Sequence, residues 1–298
     1  MEEKEIKRWK EIGKIGAKIF AYTKNLIKPD ATALEIAEKV EEKIASFKVK
    51  SAFPINISCN EIAAHCSPSY NDATKIEGLV KVDIGLCLDG YICDVASSFD
   101  LTPEKKYQKL IRASDEALKN AVKIIKHGIT ICEIGNIIQK TISAFGFSPI
   151  RNLSGHELKP YLLHAGLNIP NYDNKNKATL QEGHIIAIEP FATSGVGLVQ
   201  DSKNSNIYHL IEHKPIRDTT ARKILHFIEN EYKTLPFSSR WLVKKFGQRV
   251  LFSLRMLEQA GALHHYAQLV EKSKQPVSQA EHTILVNKDN AVVLTSED

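Results

Sequence analysis

The chain has no apolar run approaching the roughly 20 residues that a helix needs to cross a bilayer, which argues against a membrane span. It also has no C-x-x-C pair. Cys59, Cys66, Cys87, Cys93 and Cys132 are scattered and odd in number. That disfavours both a disulfide framework and a thiolate zinc site, and makes a reduced, cytoplasmic compartment the expectation. The opening residues, Met1-Glu-Glu-Lys-Glu-Ile-Lys-Arg8, are too charged for the apolar core of a signal peptide. The H-E-x-x-H order of a zincin is missing as well. His209 and His213 form only H-x-x-x-H, within a run from Ile207 to His213 that reads as a strand. These two histidines, and the pair His264-His265, are expected to face solvent.

What remains is an ordinary globular composition, 43% hydrophobic and 25% charged over 298 residues, with room for one large domain or two modest ones. The net charge of +5 is unevenly placed. Between Ile216 and Gln275 stand eleven Lys/Arg and five Asp/Glu, so this one segment carries the excess and the rest of the chain is close to neutral.

Two stretches repeat. Ile27-Lys-Pro-Asp-Ala-Thr-Ala-Leu-Glu-Ile36 parallels Ile125-Lys-His-Gly-Ile-Thr-Ile-Cys-Glu-Ile134, and each holds a capping box, Thr32 with Glu35 and Thr130 with Glu133. Each box opens a helix with apolar residues at helical spacing, followed by an extended segment containing Pro54 or Pro149. Glu77-Gly78 and Glu182-Gly183 then lead into apolar strands. Chance likeness between helical segments is the alternative. The aligned boxes and turns favour two halves on one plan, helix, helix, extended segment, strand, packed into a single α+β core.

Asp89-Gly90 is the preferred two-residue loop of a type I′ hairpin. With Leu88 facing Tyr91, Asp94 faces Gly85 and Asp83 faces Ala96. Side chains alternate along a strand, so Asp83 and Asp94 become diagonal neighbours on one face, about 7–8 Å apart. Two such carboxylates on an apolar ribbon repel unless a cation lies between them or solvent covers them both. Three further groups extend the set: His156 in Ser-Gly-His-Glu, Glu189 in the apolar run Ile-Ile-Ala-Ile-Glu-Pro, and Glu281 in Gln-Ala-Glu-His, entering the last hairpin. An unpaired carboxylate in a run like that around Glu189 is expensive to bury. Four carboxylates and an imidazole make an oxygen-rich donor set. It suits Mn, Fe, Co or Zn in a two-metal site better than a closed structural zinc. Taken singly, each of these residues is more often a surface acid or a satisfied histidine.

In their order along nearly the whole chain, these motifs resemble the type II methionine aminopeptidases, whose pita-bread fold is a pseudo-twofold pair of half-domains. The resemblance implies a catalytic domain of residues 1–214 and 271–298, interrupted by a helical, winged-helix-like insertion at 215–270. It implies two divalent metal ions per chain (Co, Mn, Fe or Zn) held by Asp83, Asp94, His156, Glu189 and Glu281, with Asp94 and Glu281 bridging. It gives Glu189 a second task as proton shuttle. His65 and His164 become the catalytic histidines near the scissile bond. Phe53, Leu163, Phe191 and Tyr266 fall where the family lines its methionine pocket, and Ile207 lies near a position where some members carry a histidine. The implied activity is removal of the N-terminal methionine from nascent polypeptides with a small second residue. A monomer in the cytoplasm is the default expectation.

The basic segment reads as three helices, over 220–232, 238–246 and 250–261, with Gly261 suited to a C-cap. It is either a nucleic-acid-binding unit of its own or a helical insertion on the enzyme surface, whose charge favours docking at the ribosome. Two other functions stay open. One is a proline dipeptidase or X-Pro aminopeptidase, which shares the fold and ligands but usually carries a separate N-terminal domain. The other is a non-catalytic RNA- or protein-binding relative, a kind that has lost metal ligands. The lysine-rich N-terminal extension of larger type II enzymes is not seen here.

Overall fold

The computed structural model describes residues 2–296, so Met1 and the last two residues of the 271–298 segment lie outside the described residues. The first half runs α1 (Glu3–Lys24), α2 (Ala33–Ser46), β1 (Lys50–Ser51), β2 (Asn56–Cys59), β3 (Ile62–Ala64), β4 (Leu79–Leu88) and β5 (Tyr91–Asp100). The second runs α3 (Gln108–Ile124), α4 (Ile131–Ala144), β6 (Ser148–Pro149), β7 (Ser154–Glu157), β8 (Asn168–Pro170), β9 (Ile185–Ile188), β10 (Phe191–Thr193) and β11 (Val199–Leu210). Next come α5 (Thr219–Glu231), β12 (Phe237–Ser238), α6 (Ser239–Phe246), α7 (Val250–Gln259) and β13 (Leu263–Glu271). The chain closes with β14 (Val277–Gln279), β15 (Glu281–Val286) and β16 (Ala291–Val293).

The repeat is real in space. Thr32 caps α2 and Thr130 caps α4, each accepting from the backbone N–H of the glutamate three residues on. That glutamate reaches back to the N–H of its own capping threonine. In both halves a helix pair covers one face of a nine-stranded antiparallel sheet of main order β1-β4-β5-β15-β9-β7-β8. Under α1 and α2 pack Val80, Val82, Ile84 and Leu86 of β4. Under α3 and α4 pack Ile186 and Ile188 of β9 with Ile284 and Val286 of β15. The residues between them on β4, Asp83 and Gly85, therefore point to the face without helices. The halves join where β15 meets β5, through only two residue pairs, Glu281 with Ala96 and His282 with Val95.

The three helices α5–α7 have a separate core of Ile224, Leu225, Ile228, Leu242, Leu254 and Leu257, which also takes in Tyr208 and Phe237. Gly261, just past α7, is left-handed at φ 73°. The strand ending this basic segment, β13, is hydrogen-bonded between β11 and β3, so the segment is built into its host sheet.

Two histidines differ from expectation. The side chain of His265 is only 7% exposed and stacks on Tyr208 at 4.0 Å. His209 is half-buried and packs against Tyr266. His265 lies on the ribbon face that packs with Tyr208 against α5–α7, and His209, on the other face, is partly covered by Tyr266. His213 is exposed and bonds Glu229 at 2.6 Å, and His264 is exposed.

Candidate metal centre

The β4–β5 hairpin has the register its turn dictates. Leu88 pairs with Tyr91, Gly85 with Asp94 and Asp83 with Ala96. Asp89 and Gly90 both take positive φ, as a type I′ loop requires. Asp83 and Asp94 thus share the face turned away from α1 and α2. β7 supplies His156, the end of β9 supplies Glu189, and the start of β15 supplies Glu281.

These five side chains converge. Asp94, His156 and Glu281 are 3%, 3% and 2% exposed, and one donor atom from each lies within 4.8 Å of the others. His156 Nε2 stands 3.7 Å from Asp94 Oδ2 and 3.8 Å from Glu189 Oε1. Gln279 ties in the rest, donating to Asp83 Oδ2 at 3.3 Å and to Glu281 Oε2 at 3.4 Å. Gln279 had no part in the sequence reading, although its place two residues before Glu281 was the available signal.

The electrostatics are those of an uncompensated acidic cluster. Burial pushes Asp83 up to about 6. Burial, with the Asp83 and Glu189 charges adding, holds Asp94 well above the ordinary carboxylate range. Glu281 is raised by burial and by Asp94, Glu189 and Asp83, and Glu189 by burial and Asp83. Burial drives His156 down to about 3, aided by the nearby His164. Asp83 Oδ1, Asp94 Oδ1 and His156 Nδ1 are buried with no hydrogen-bond partner among the described residues. Buried polar atoms are ordinarily satisfied, so orphaned carboxylate oxygens on Asp83 and Asp94, with His156 Nε2 turned toward Asp94 and Glu189, call for a cation. Carboxylate oxygens with one imidazole fit a divalent ion of the Mn, Fe, Co or Zn kind. This buried Asp/His/Glu group is therefore a fitting metal site.

The cluster forms one wall of a cavity of about 240 Å³. The other walls include Phe53, His65, Leu163, His164, Phe191, Ile207 and Tyr266. The structure thus gathers every residue singled out in the sequence around a single space. Asn56, Pro236 and Leu269 line it too and were not anticipated. Asn56 pairs with Asp83 across β2–β4, a long-range neighbour that no local pattern announces. His65 follows β3 in a left-handed conformation, φ 57°, which is uncommon outside glycine and is found at functional sites. Its ring packs on Tyr266 at 5.2 Å, and burial drives it down to about 4, so it is neutral near pH 7. The ring of His164 lies 4.4 Å from that of His156.

Comparison with known proteins agrees with this geometry. Residues 7–231 match Metallopeptidase family M24. The methionine aminopeptidase of Methanocaldococcus jannaschii is 42% identical over 287 residues, covering 96% of both chains. That of Pyrococcus abyssi is 44% identical over 289 residues, covering 96% of this chain and 97% of its own. The crystal structure of methionine aminopeptidase from Thermotoga maritima superposes with a TM-score of 0.72 at 24% identity, covering 100% of this chain and 98% of its own, a likeness of the pita-bread fold. With its buried donor set, its repeated halves and these full-length likenesses, the chain belongs to metallopeptidase family M24 and, within it, to the methionine aminopeptidases.

Proposed function

We propose that this protein removes the N-terminal methionine from newly made polypeptides in the cytoplasm, as a monomer, and favours substrates with a small second residue. The observation that carries the reading is the shared cavity: buried acidic donors on one wall, apolar side chains on the others, and a volume of about 240 Å³. That is below the roughly 300 Å³ at which drug-sized pockets begin, and suits one unbranched side chain. Methionine adapts well to such irregular apolar space, here between Phe53, Leu163, Phe191 and Tyr266.

Asp83, Asp94, His156, Glu189 and Glu281 would hold two divalent ions of Co, Mn, Fe or Zn. Bound there, such ions supply Lewis acidity and bring the pKa of water toward neutrality. The chain's own residues do the rest. Glu189 takes a proton from the attacking water and passes it to the leaving amide nitrogen. His65 and His164 donate hydrogen bonds to the scissile amide and to the oxygen that gains charge in the transition state. The neutral state of His65 avoids placing another cation beside the ions. The apolar walls exclude water and fix the side chain. Fit alone discriminates by about 1–3 kcal/mol per methylene, so the second residue contributes to selection as well.

We treat 215–270 as a helical insertion that docks near ribosomal RNA. In support, Lys244, Lys245, Arg249 and Arg255 are exposed around the solvent-facing rings of Phe246 and Phe252. The deciding test of the main reading is a cleavage panel with metal-reconstituted protein, varying the first two residues and including X-Pro peptides. Cleavage confined to Met followed by a small residue supports it, and faster X-Pro cleavage replaces it with dipeptidase activity. Salt-dependent sedimentation with ribosomes tests the insertion, since counterion release makes such binding weaken as salt rises.

A further inference from the structure

Across the β11–β13 ribbon, on the face that carries Tyr266, two histidines stand directly opposite each other. His209 and His264 are register partners, so their Cβ atoms are about 4.5–5.5 Å apart. Their ring centroids are 5.2 Å apart with planes at 55°. Tyr266 packs on both, at 5.1 Å from His209 and 4.8 Å from His264, and meets His65 next along the same line of rings. Nδ1 of His209 is buried without a hydrogen-bond partner among the described residues. His264 is open to solvent.

The spacing fits a shared ion. An imidazole nitrogen sits about 2.0–2.1 Å from zinc, so each ring centre lies roughly 3.2 Å from it, and a tetrahedral angle then separates two centres by about 5.2 Å. The chemistry also differs from that of the acidic centre. Two imidazoles with no carboxylate favour Zn, Cu or Ni over Mn or Mg.

We propose that His209 and His264 form a second metal site, for a borderline transition-metal ion such as Zn²⁺, with water completing its coordination. The ion sits against Tyr266, whose ring is part of the cavity wall, so occupancy narrows the approach to the cavity. The site is independent of the substrate assigned above, because its donors belong to neither the acidic cluster nor the apolar pocket.

The test is calorimetric titration of metal-free protein with Zn²⁺, for wild type, His264→Gln, His209→Gln and Asp94→Ala. Wild type and Asp94→Ala are expected to share a binding event that each histidine variant loses or weakens by at least about tenfold. His264 is exposed, so His264→Gln tests the site without disturbing the core, and circular dichroism checks its fold. A parallel assay follows activity as Zn²⁺ is raised above saturation of the acidic centre, where wild type slows and His264→Gln does not. Equal stoichiometry and affinity in wild type and His264→Gln would overturn the proposal. So would disappearance of the shared event in Asp94→Ala alone, which assigns it to the acidic centre.

Discussion

Arg240, with no solvent exposure, donates to both carboxylate oxygens of Glu41, at 2.7 and 2.6 Å. Trp241 Nε1 donates to the same carboxylate at 2.9 Å, and Arg240 Nε reaches the Pro68 carbonyl. One glutamate of α2 thereby anchors α6 across 199 residues of sequence. Removing one partner of a buried pair leaves the other charge unpaired and typically costs about 3–5 kcal/mol. Glu41→Ala is expected to lose that much stability in urea unfolding. A Glu41→Met/Arg240→Met double variant should lose markedly less, since no charge is left uncompensated.

Asp94→Ala and Glu281→Ala should each abolish cleavage of Met-Gly-Ser-type peptides and lower the bound metal measured by plasma emission. Full turnover in either variant would remove the acidic cluster from the chemistry.

Metal removal should be felt most at alkaline pH. Asp83 is raised to about 6 and its three acidic neighbours are raised with it. A carboxyl whose folded pKa lies above its unfolded value adds stability when protonated, and that contribution is lost as pH climbs through the folded value. The metal-free protein therefore loses stability from about pH 4 upward through about pH 6 as Asp83 ionises, and its three neighbours, also raised, extend the loss to higher pH. The drop in melting temperature on chelation should be large near pH 8 and small near pH 5. A drop independent of pH would contradict the charge argument.

His65→Ala and His164→Ala should each lower kcat by about 10²–10³-fold, the usual cost of one oxyanion donor, and change KM little. An effect on KM alone would make them binding residues.

Gly85 faces Asp94 across the hairpin, and a Cβ there would overlap the ring of Phe53. Gly85→Ala should push that ring out of place in the pocket wall. KM for methionyl peptides should rise with metal content unchanged.

The hairpin register, both capping boxes and the paired halves could be read directly, because each is governed by residues within a few positions of one another. The scattered donors His156, Glu189 and Glu281 had to be placed through family likeness. Nothing between residues 94 and 281 states locally that β5 and β15 will lie side by side. Arg240 is one of several basic residues in 238–246, and its partner Glu41 lies on another element, out of reach of any local pattern. Lys81 is likewise fully buried in β4 and donates to the Asn60 carbonyl, a setting that its sequence neighbours do not reveal. His209 and His265 are covered by aromatic rings from their own ribbon, Tyr266 and Tyr208, whose placement depends on the pairing of β11 with β13.

The short ladder between β5 and β15 has a mechanical meaning. Two residue pairs stitch the halves together there; Glu281 belongs to one of them and Asp94 is the next residue along β5. Repulsion among the buried acids therefore falls on a short stretch of ladder. A cation gripping both acids then acts as a rivet, and stripping it loosens the line between the halves before either half melts. Amide exchange at Val95, Ala96 and His282 should quicken on chelation while the β4–β5 hairpin stays protected.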